Sequence, residues 1–581
     1  MLFQDIKTER DLSLLKRRVL ADKGLYERIL RVRSEMHNIE GKHSSVVKIW
    51  PQNSTLIKVS EAHKMPTNAE ILAFYRELVS LGEEPLSPDA ELVMKKLKTR
   101  SNSGVAVVSL LTKPFPCPGR CTYCPTEENM PKSYLSKEPA AARALANNFD
   151  PYDQVTNRLL ALEINGHNTD KIEMIVIGGT WSFYHPKYQE EFLAECFRAC
   201  NNFSHTPPTS GTLEVGGVQT AKGEKSLAEM QTENETAGAR IIGLSIETRP
   251  DYITTYEIER LRALGVTKVE IGVQHLDDAI LKLTKRDMKI AVVMKATERL
   301  RNAGLKVVYH MMPNLPGSTP ERDIAMFGEL FSGEDFQPDM LKVYPCMVLE
   351  GSELFETWKH GLPAASMAQA GCFKPYTDEE LIRVLAGAKK QVPKYVRIIR
   401  VIRDIPATYI QAGSKISNLR QWLLADMKKN RWQCKCIRCR EVRGVVVDPA
   451  KFPLTRAEYR TKTGREIFLS FEELNEGKLA SFLRLRLPDK RGEEFTGTAL
   501  DVLRDAALVR ELHTYGQLIP IGAEGTQSQH VGFGKQLLIE AERIAREAGY
   551  KKLAIISGIG VREYYRKRGY ALEGTYMVKY L

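Results

Sequence analysis

The sequence predicts an α/β protein: a strand–helix domain with a parallel, partly or fully closed sheet, then a smaller α+β domain, with a mainly helical segment in front. Three observations carry this. Six short apolar runs, at residues 105–111, 171–177, 241–246, 268–272, 306–311 and 340–344, alternate with helical patterns. Repeated strand–helix units imply parallel strands, because a right-handed crossover brings each strand back in the same direction. Past residue 441 the texture changes to short strands and turns. At 581 residues, 43% of them hydrophobic and 27% charged, the chain is long enough for several cores and too apolar for disorder.

In order, residues 1–97 read as a mainly helical segment. Residues 11–20 and 68–79 have apolar spacing of helical period, with Thr67 or Asn68 as a cap. A β-branched stretch at 44–60 suggests a short strand. The basic run at 95–100 reads equally as a solvated helix end or a phosphate-contacting edge.

The strand–helix domain is expected over 98–388. Its strand exits are rich in glycine and polar residues: Gly178-Gly179-Thr180-Trp181, Glu247-Thr248-Arg249, Gly272-Val273-Gln274-His275 and Met312-Pro313-Asn314. One such exit is an ordinary loop. Four in succession on one rim suit a cofactor face.

Ten cysteines fall mostly in two tight triplets, which is metal spacing rather than a disulfide framework. Cys117, Cys121 and Cys124 stand in C-x-x-x-C-x-x-C among prolines and glycine, just past the first strand. Three soft thiolates on one loop suit an iron–sulfur cluster with one iron left open; a zinc loop and core cysteines are the alternatives. Cys434, Cys436 and Cys439 offer three thiolates to a structural zinc whose fourth ligand would come from Cys346, Cys372, a histidine or water; a second iron–sulfur cluster and unmetallated thiols are the alternatives. Cys196 and Cys200, four apart in a helical pattern, read as packed small hydrophobes.

The net charge of +12 is concentrated. Residues 383–443 hold 16 Lys and Arg against three acids, a local +13, so the rest of the chain is close to neutral. A basic block of this kind marks a polyanion partner, because its cations displace counterions condensed on phosphates. The link itself is expected at 389–440. No apolar run is long enough for a membrane helix and the N-terminus lacks an apolar signal core, so a cytoplasmic protein with no membrane partner is expected.

The last domain is expected over 441–581. Strand patterns occur at 445–447, 466–472, 479–488 and 517–522. Gln529-His530-Val531-Gly532-Phe533-Gly534 then opens a helix ended by Gly549. Free N–H groups at a helix N-terminus cradle pyrophosphate, although so short a glycine motif equally fits a plain helix-opening turn. A strand at 551–557, a helix at 561–569 and a closing strand at 570–580 complete it.

The last region resembles a GNAT acetyltransferase domain, in its Q-x-x-G-x-G-type loop, helix, strand and Tyr-bearing helix ending Arg566-Lys567-Arg568-Gly569-Tyr570. The central one resembles a partial or full TIM-like radical SAM barrel, Cys117, Cys121 and Cys124 matching its cluster motif. Both in one chain, joined by a basic cysteine-bearing link, resemble the catalytic subunit family of Elongator; Met130 to Leu135, Glu138 to Ala140 and Asn148 to Pro151 share in the likeness. The resemblance implies carboxymethylation of the tRNA wobble uridine at carbon 5 from acetyl-CoA and S-adenosylmethionine. It implies a [4Fe-4S] cluster on the first triplet and S-adenosylmethionine contacts from Gly178, Gly179, Thr180, Glu247 and Gln274. Acetyl-CoA would be held by Gln529, Val531, Gly532, Phe533 and Gly534, with Ile519 to Ile521, and Tyr564 and Tyr565 would act on the thioester. Expected partners are the tRNA anticodon stem-loop, an electron donor for the cluster, and a second copy or Elongator-type subunits. Zn2+ at the second triplet would stiffen the RNA surface. A protein lysine acetyltransferase with a structural radical SAM domain is the alternative, and a tRNA-binding scaffold without chemistry a third.

Overall fold

The computed structural model describes residues 9–22, 24–29, 32, 66–94, 104–203, 225–361, 373–416, 418–442, 447–489, 500–515 and 532–581. The expectations at 44–60, 95–100, 445–446, 517–522 and 529–531 lie outside these residues.

The central domain is built on strands β1 (Ala106–Leu111), β2 (Lys171–Ile177), β3 (Arg240–Thr248), β4 (Lys268–Gln274), β5 (Lys306–Met311) and β6 (Met340–Val343). Two short strands, β7 (Val348–Leu349) and β9 (Ile410–Ala412), form a separate antiparallel pair around β8 (Arg397–Arg400). The main sheet is a seven-stranded half-barrel in the order β1-β2-β3-β4-β5-β6-β8, every pair parallel. Its seventh strand comes from within the stretch expected as a link. Helices Pro139–Ala146, Pro151–Ile164, Pro186–Asn202 and Pro320–Ser332 each begin with a proline, whose fixed φ and missing N–H suit a first turn. The helix expected at 291–303 is Ile290–Asn302, followed by Gly304 at φ +77°.

Strands in this sheet alternate. In β2, Ile172, Met174 and Val176 enter the main core; in β4, Val269, Ile271 and Val273 do so. Between them, Glu173, Lys268, Glu270, Gly272 and Gln274 occupy the other face. The apolar face lies under the helices and the polar face lines the inside of the half-barrel. Parallel strands buried on both faces usually read as continuous apolar runs, so this alternation marks a working interior.

The C-terminal domain is a seven-stranded mixed sheet. Its strands are β10 (Leu454–Thr461), β11 (Gly464–Glu472), β12 (Leu479–Pro488), β13 (Ala506–Thr514), β14 (Lys552–Ile555), β15 (Ala571–Glu573) and β16 (Tyr576–Tyr580), in the order β10-β11-β12-β13-β14-β16-β15. The single closing strand expected at 570–580 is a hairpin instead, turned at Gly574 with φ +56°. Strand β10 escapes a search for apolar runs because Arg456, Glu458 and Arg460 make it an exposed, charged edge.

The N-terminal helices Glu9–Ala21, Asn68–Ser80 and Pro88–Met94 share a satellite core of Leu15, Val19, Ile71, Phe74, Tyr75 and Met94. Thr67 caps the second with a full capping box: its Oγ1 accepts from Glu70 N at 3.2 Å and its N–H donates to Glu70 Oε2 at 2.7 Å.

Charges bind the two large domains together. Asp339, before β6, accepts from both Nη groups of Arg510 on β13, and Arg484 Nη1 lies 3.6 Å away. Glu466 accepts from Arg510 at 3.1 Å and from Arg486 at 2.7 Å, with Arg301 at 3.6 Å. Tyr576 Oη donates to Ala303 O at 2.6 Å, and Arg562 pairs with Glu235 at 3.0 Å. Asp339 and Arg510 are fully buried.

Candidate active site

The cysteine loop hangs from the end of β1. Thr122 N–H donates to Thr284 O at 3.1 Å and Leu354 N–H to Thr122 O at 2.8 Å, so the end of helix Asp278–Leu283 and the start of helix Glu353–Lys359 hold it. Cys121 is buried, while Cys117 and Cys124 are half-buried. Cys117 Sγ accepts from Gly119 N–H at 3.4 Å and lies 3.8 Å from Thr180 Oγ1. Arg286 Nη1 donates to Cys121 Sγ at 3.7 Å. Contact with Cys124, reinforced by that guanidinium, holds the Cys121 thiol well below its ordinary range. Three sulfurs beside a buried cation fit an anionic iron–sulfur cluster.

Gly178 and Gly179 sit at φ +136° and +103°, where other residues are strained. A Cβ on Gly178 would overlap Thr112 Oγ1, which itself hydrogen-bonds Tyr184 Oη at 2.8 Å. The glycine pair therefore lets backbone pass beside Thr180 and the first cysteine. Across the rim, Gln274 has φ +71°, and its Oε1 is buried with no hydrogen-bond partner among the described residues. Arg249 Nη1 is in the same state. Buried polar atoms are nearly always paired, so two orphans on this rim fit a bound polar small molecule.

Glu247 is engaged with protein groups. It accepts from Tyr134 Oη at 2.6 Å and from Lys342 Nζ at 3.4 Å, with His310 Nε2 at 3.9 Å. Glu270 joins Lys342, His310 Nε2 at 2.8 Å and the Ser245 hydroxyl at 3.1 Å. Burial alone would raise the Glu270 carboxyl, but Lys342 and His310 hold it well below its usual range. The same balance takes Glu173 down to about 2, against burial, through Lys268. Ligand atoms of Glu247, Glu270 and His310 lie within 4.8 Å of one another, but Lys342 already supplies the cation there. Sequence reasoning found Glu247, placed Arg249 on the same rim exit without a role, and missed Glu270, His310, Lys342 and Arg286. The available signal was polar residues at alternate positions of parallel strands, as in Lys268-Val269-Glu270-Ile271-Gly272.

The basic stretch reaches this rim through Arg403, whose guanidinium donates to Glu138 Oε2 at 3.0 Å and Ser133 Oγ at 3.0 Å. In the C-terminal domain, β13 pairs with β14 only as far as Val509 opposite Ile555, and continues to Thr514. The strands part there, beside helix Phe533–Glu547. Gly532 caps that helix at φ +80°, and a Cβ on Gly534 would lie 3.0 Å from Tyr564 Oη and 3.6 Å from Thr514 Oγ1. Gly534 and Tyr564 are thus brought together, with Gly532 at the helix cap, whereas the Phe533 side chain turns into the core and stacks on Phe471 at 4.2 Å; Gln529, Val531 and Ile519 to Ile521 lie outside the described residues. Tyr565 instead enters the core, packed between Tyr564 and Tyr570. Burial raises the Tyr564 phenol, whose ring carries Arg568 on its face.

The sulfurs of Cys434, Cys436 and Cys439 lie within 4.8 Å of one another, the spacing of ligands around one tetrahedral ion. Lys389 Nζ donates to Cys439 Sγ at 3.5 Å. Cys346 is elsewhere, packed with Cys121 and Tyr123, and Cys372 lies outside the described residues. Cys196 and Cys200 are core residues, as their spacing suggested. No helix among the described residues is long and apolar enough to cross a membrane.

The Radical SAM superfamily model matches residues 114–328, and the Radical_SAM C-terminal domain model matches 338–429. The chain is 42% identical over 574 residues to the tRNA uridine(34) acetyltransferase of Methanocaldococcus infernus, covering 96% of this chain and 98% of that one. It is 35% identical over 563 residues to Elongator complex protein 3 of Schizosaccharomyces pombe, covering 92% and 95%. Among solved structures, the archaeal M. infernus Elp3 with residues 1–46 deleted matches with a TM-score of 0.67 at 42% identity, over 82% of this chain and 100% of that one. With a glycine-flanked cysteine loop on a parallel half-barrel and a mixed sheet docked against it, this chain belongs to the radical SAM family of Elongator complex protein 3 and the tRNA uridine(34) acetyltransferases.

Proposed function

We propose that this protein replaces the C5 hydrogen of a tRNA wobble uridine with a carboxymethyl group, drawing both carbons from acetyl-CoA. The observation that carries this reading is the docking of the cysteine-bearing half-barrel and the Tyr564-bearing sheet into one body through Asp339 and Arg510. A [4Fe-4S] cluster on Cys117, Cys121 and Cys124 would, when bound, supply one electron for reductive cleavage of S-adenosylmethionine. Gly178, Gly179 and Thr180 leave room for that molecule's methionine end, and Gln274 offers it an unused acceptor. The paired charges of Glu247, Glu270, His310 and Lys342 give the half-barrel interior fixed dipoles without net reorganisation. Gly534 and Thr514 line the mouth where a thioester would enter, with the Tyr564 hydroxyl kept protonated beside it. Lys and Arg of 383–443 would meet phosphates, Arg403 fixing that surface to the rim.

Acetyl-CoA hydrolysis should rise when tRNA is added, and the gain should fall steeply between about 50 and 200 mM salt, since phosphate contacts are weakened by released counterions. A rate indifferent to tRNA, with efficient acetylation of lysine peptides, would favour the acetyltransferase reading. The second triplet is proposed to bind Zn2+: metal analysis of Cys436→Ala should show zinc lost and iron retained, whereas lost iron would reverse the two metal assignments.

A further inference from the structure

The chain entering the first cysteine is unusually exposed and apolar. Residues Lys113, Pro114, Phe115 and Pro116 are all exposed, and Cys117 follows half-buried. Phe115 is 36% exposed and Phe183, from the loop after β2, is 37% exposed, although phenylalanine is among the residues most often buried. The two rings meet edge to face with centroids 5.8 Å apart. Phe115 also stacks on Tyr184 at 4.8 Å, and Phe183 meets Tyr252, after β3, at 6.0 Å. Beside them stands Lys113, its ammonium 4.6 Å from the Tyr188 ring centre; Arg120, on the cysteine loop itself, has a side chain 83% exposed and 3.5 Å from Asp287. This is an aromatic surface on the exits of β1, β2 and β3.

The proposed chemistry makes no use of it. Residues assigned to the interior face inward. The basic stretch enters through β8, the last strand at the other edge, and where Arg403 crosses to the first half of the domain it meets Glu138 and Ser133, not Phe115 or Phe183.

We propose that the Phe115–Phe183 surface is the docking site of a one-electron carrier protein that reduces the iron–sulfur cluster. The inference rests on the cluster reading above. Reductive cleavage consumes an electron that no side chain here can supply, and that electron must enter where protein between solvent and the cysteines is thinnest. Cys117, which follows the exposed stretch Lys113 to Pro116, is itself only half-buried. In the transfer the carrier loses one electron and the cluster gains it, with no bond made or broken. The partner that fits is acidic with an exposed flat prosthetic group. Its apolar edge would meet the two phenylalanines, and its acidic rim Lys113 and Arg120, which would speed encounter.

The test uses the full-length, iron-loaded protein and reduced flavodoxin as probe, following loss of cluster absorbance by stopped flow. Phe115→Ser/Phe183→Ser should be reduced by flavodoxin at least tenfold more slowly than wild type, with iron content and reduction by dithionite unchanged. Lys113→Glu/Arg120→Glu should slow the same step and flatten its salt dependence. Equal flavodoxin rates in wild type and the phenylalanine variant would overturn the proposal. So would parallel slowing with dithionite, which would mean that the rings merely support the loop, or a wild-type cluster that dithionite reduces and flavodoxin does not. A wild-type protein that binds no iron would instead sink the cluster reading beneath it.

Discussion

Cys121→Ala is expected to yield a folded protein that binds no iron–sulfur cluster and forms no modified uridine. Cys121 is the most enclosed of the three thiols in the loop, and Arg286 faces it. Two remaining thiolates cannot hold three irons, so the loss should be complete rather than graded. The checks are iron content, the brown absorbance after anaerobic reconstitution, and mass analysis of the wobble base. Cys196→Ala is the control: Cys196 is equally buried but lies in the apolar core, and it should keep iron and product while losing some stability. Product from the Cys121 variant would sink the radical mechanism.

Asp339→Ala is expected to be the most destabilising single change between the domains, costing about 3–5 kcal/mol, the range for removing one partner of a buried ion pair. Asp339 accepts two bonds from Arg510 and one from Val307 N–H at 2.9 Å, all without exposure. Its loss leaves Arg510 to share Glu466 with Arg486 and leaves Arg484 with Glu511 alone, an excess of buried positive charge in the interface. Burial would raise the Asp339 carboxyl, but Arg510 and Arg484 hold it well below its ordinary 3.8. A carboxylate depressed in this way stabilises the folded state above its unfolded pKa and loses that contribution as pH falls. The gap between wild type and variant in denaturant midpoint should therefore be full at pH 7 and shrink below about pH 4. A gap that widens in acid, or a variant as stable as wild type, would contradict the assignment.

Much of this was legible in the sequence, for identifiable reasons. Parallel strands announce themselves as β-branched runs, and glycine at Gly178 and Gly179 follows from backbone that must turn to positive φ. The cysteine loop is local, so its spacing alone proposed its chemistry. What stayed hidden depends on distant pairing. Glu270, His310 and Lys342 come from three strands, and only the parallel register lays His310 beside Lys342. Arg403 finds Glu138 across 265 positions of chain. Tyr564 and Tyr565 look alike in sequence, yet a helix aims neighbours some 100° apart, which sends Tyr564 toward Gly534 and Tyr565 into the core. The strand β10 and the hairpin of β15 and β16 were hidden by charge and by an unmarked glycine turn.

The alternating strands of the half-barrel separate two kinds of failure. One face of each strand, such as Val269 and Ile271, holds the helices on, while rim positions on the other, such as Gln274 with its unpartnered Oε1, hold nothing up. Variation on the first face will surface in any screen for melting or solubility. Variation on the second can leave a well-behaved, abundant protein that does no chemistry, so inherited or laboratory variants there will be found only by assaying the product.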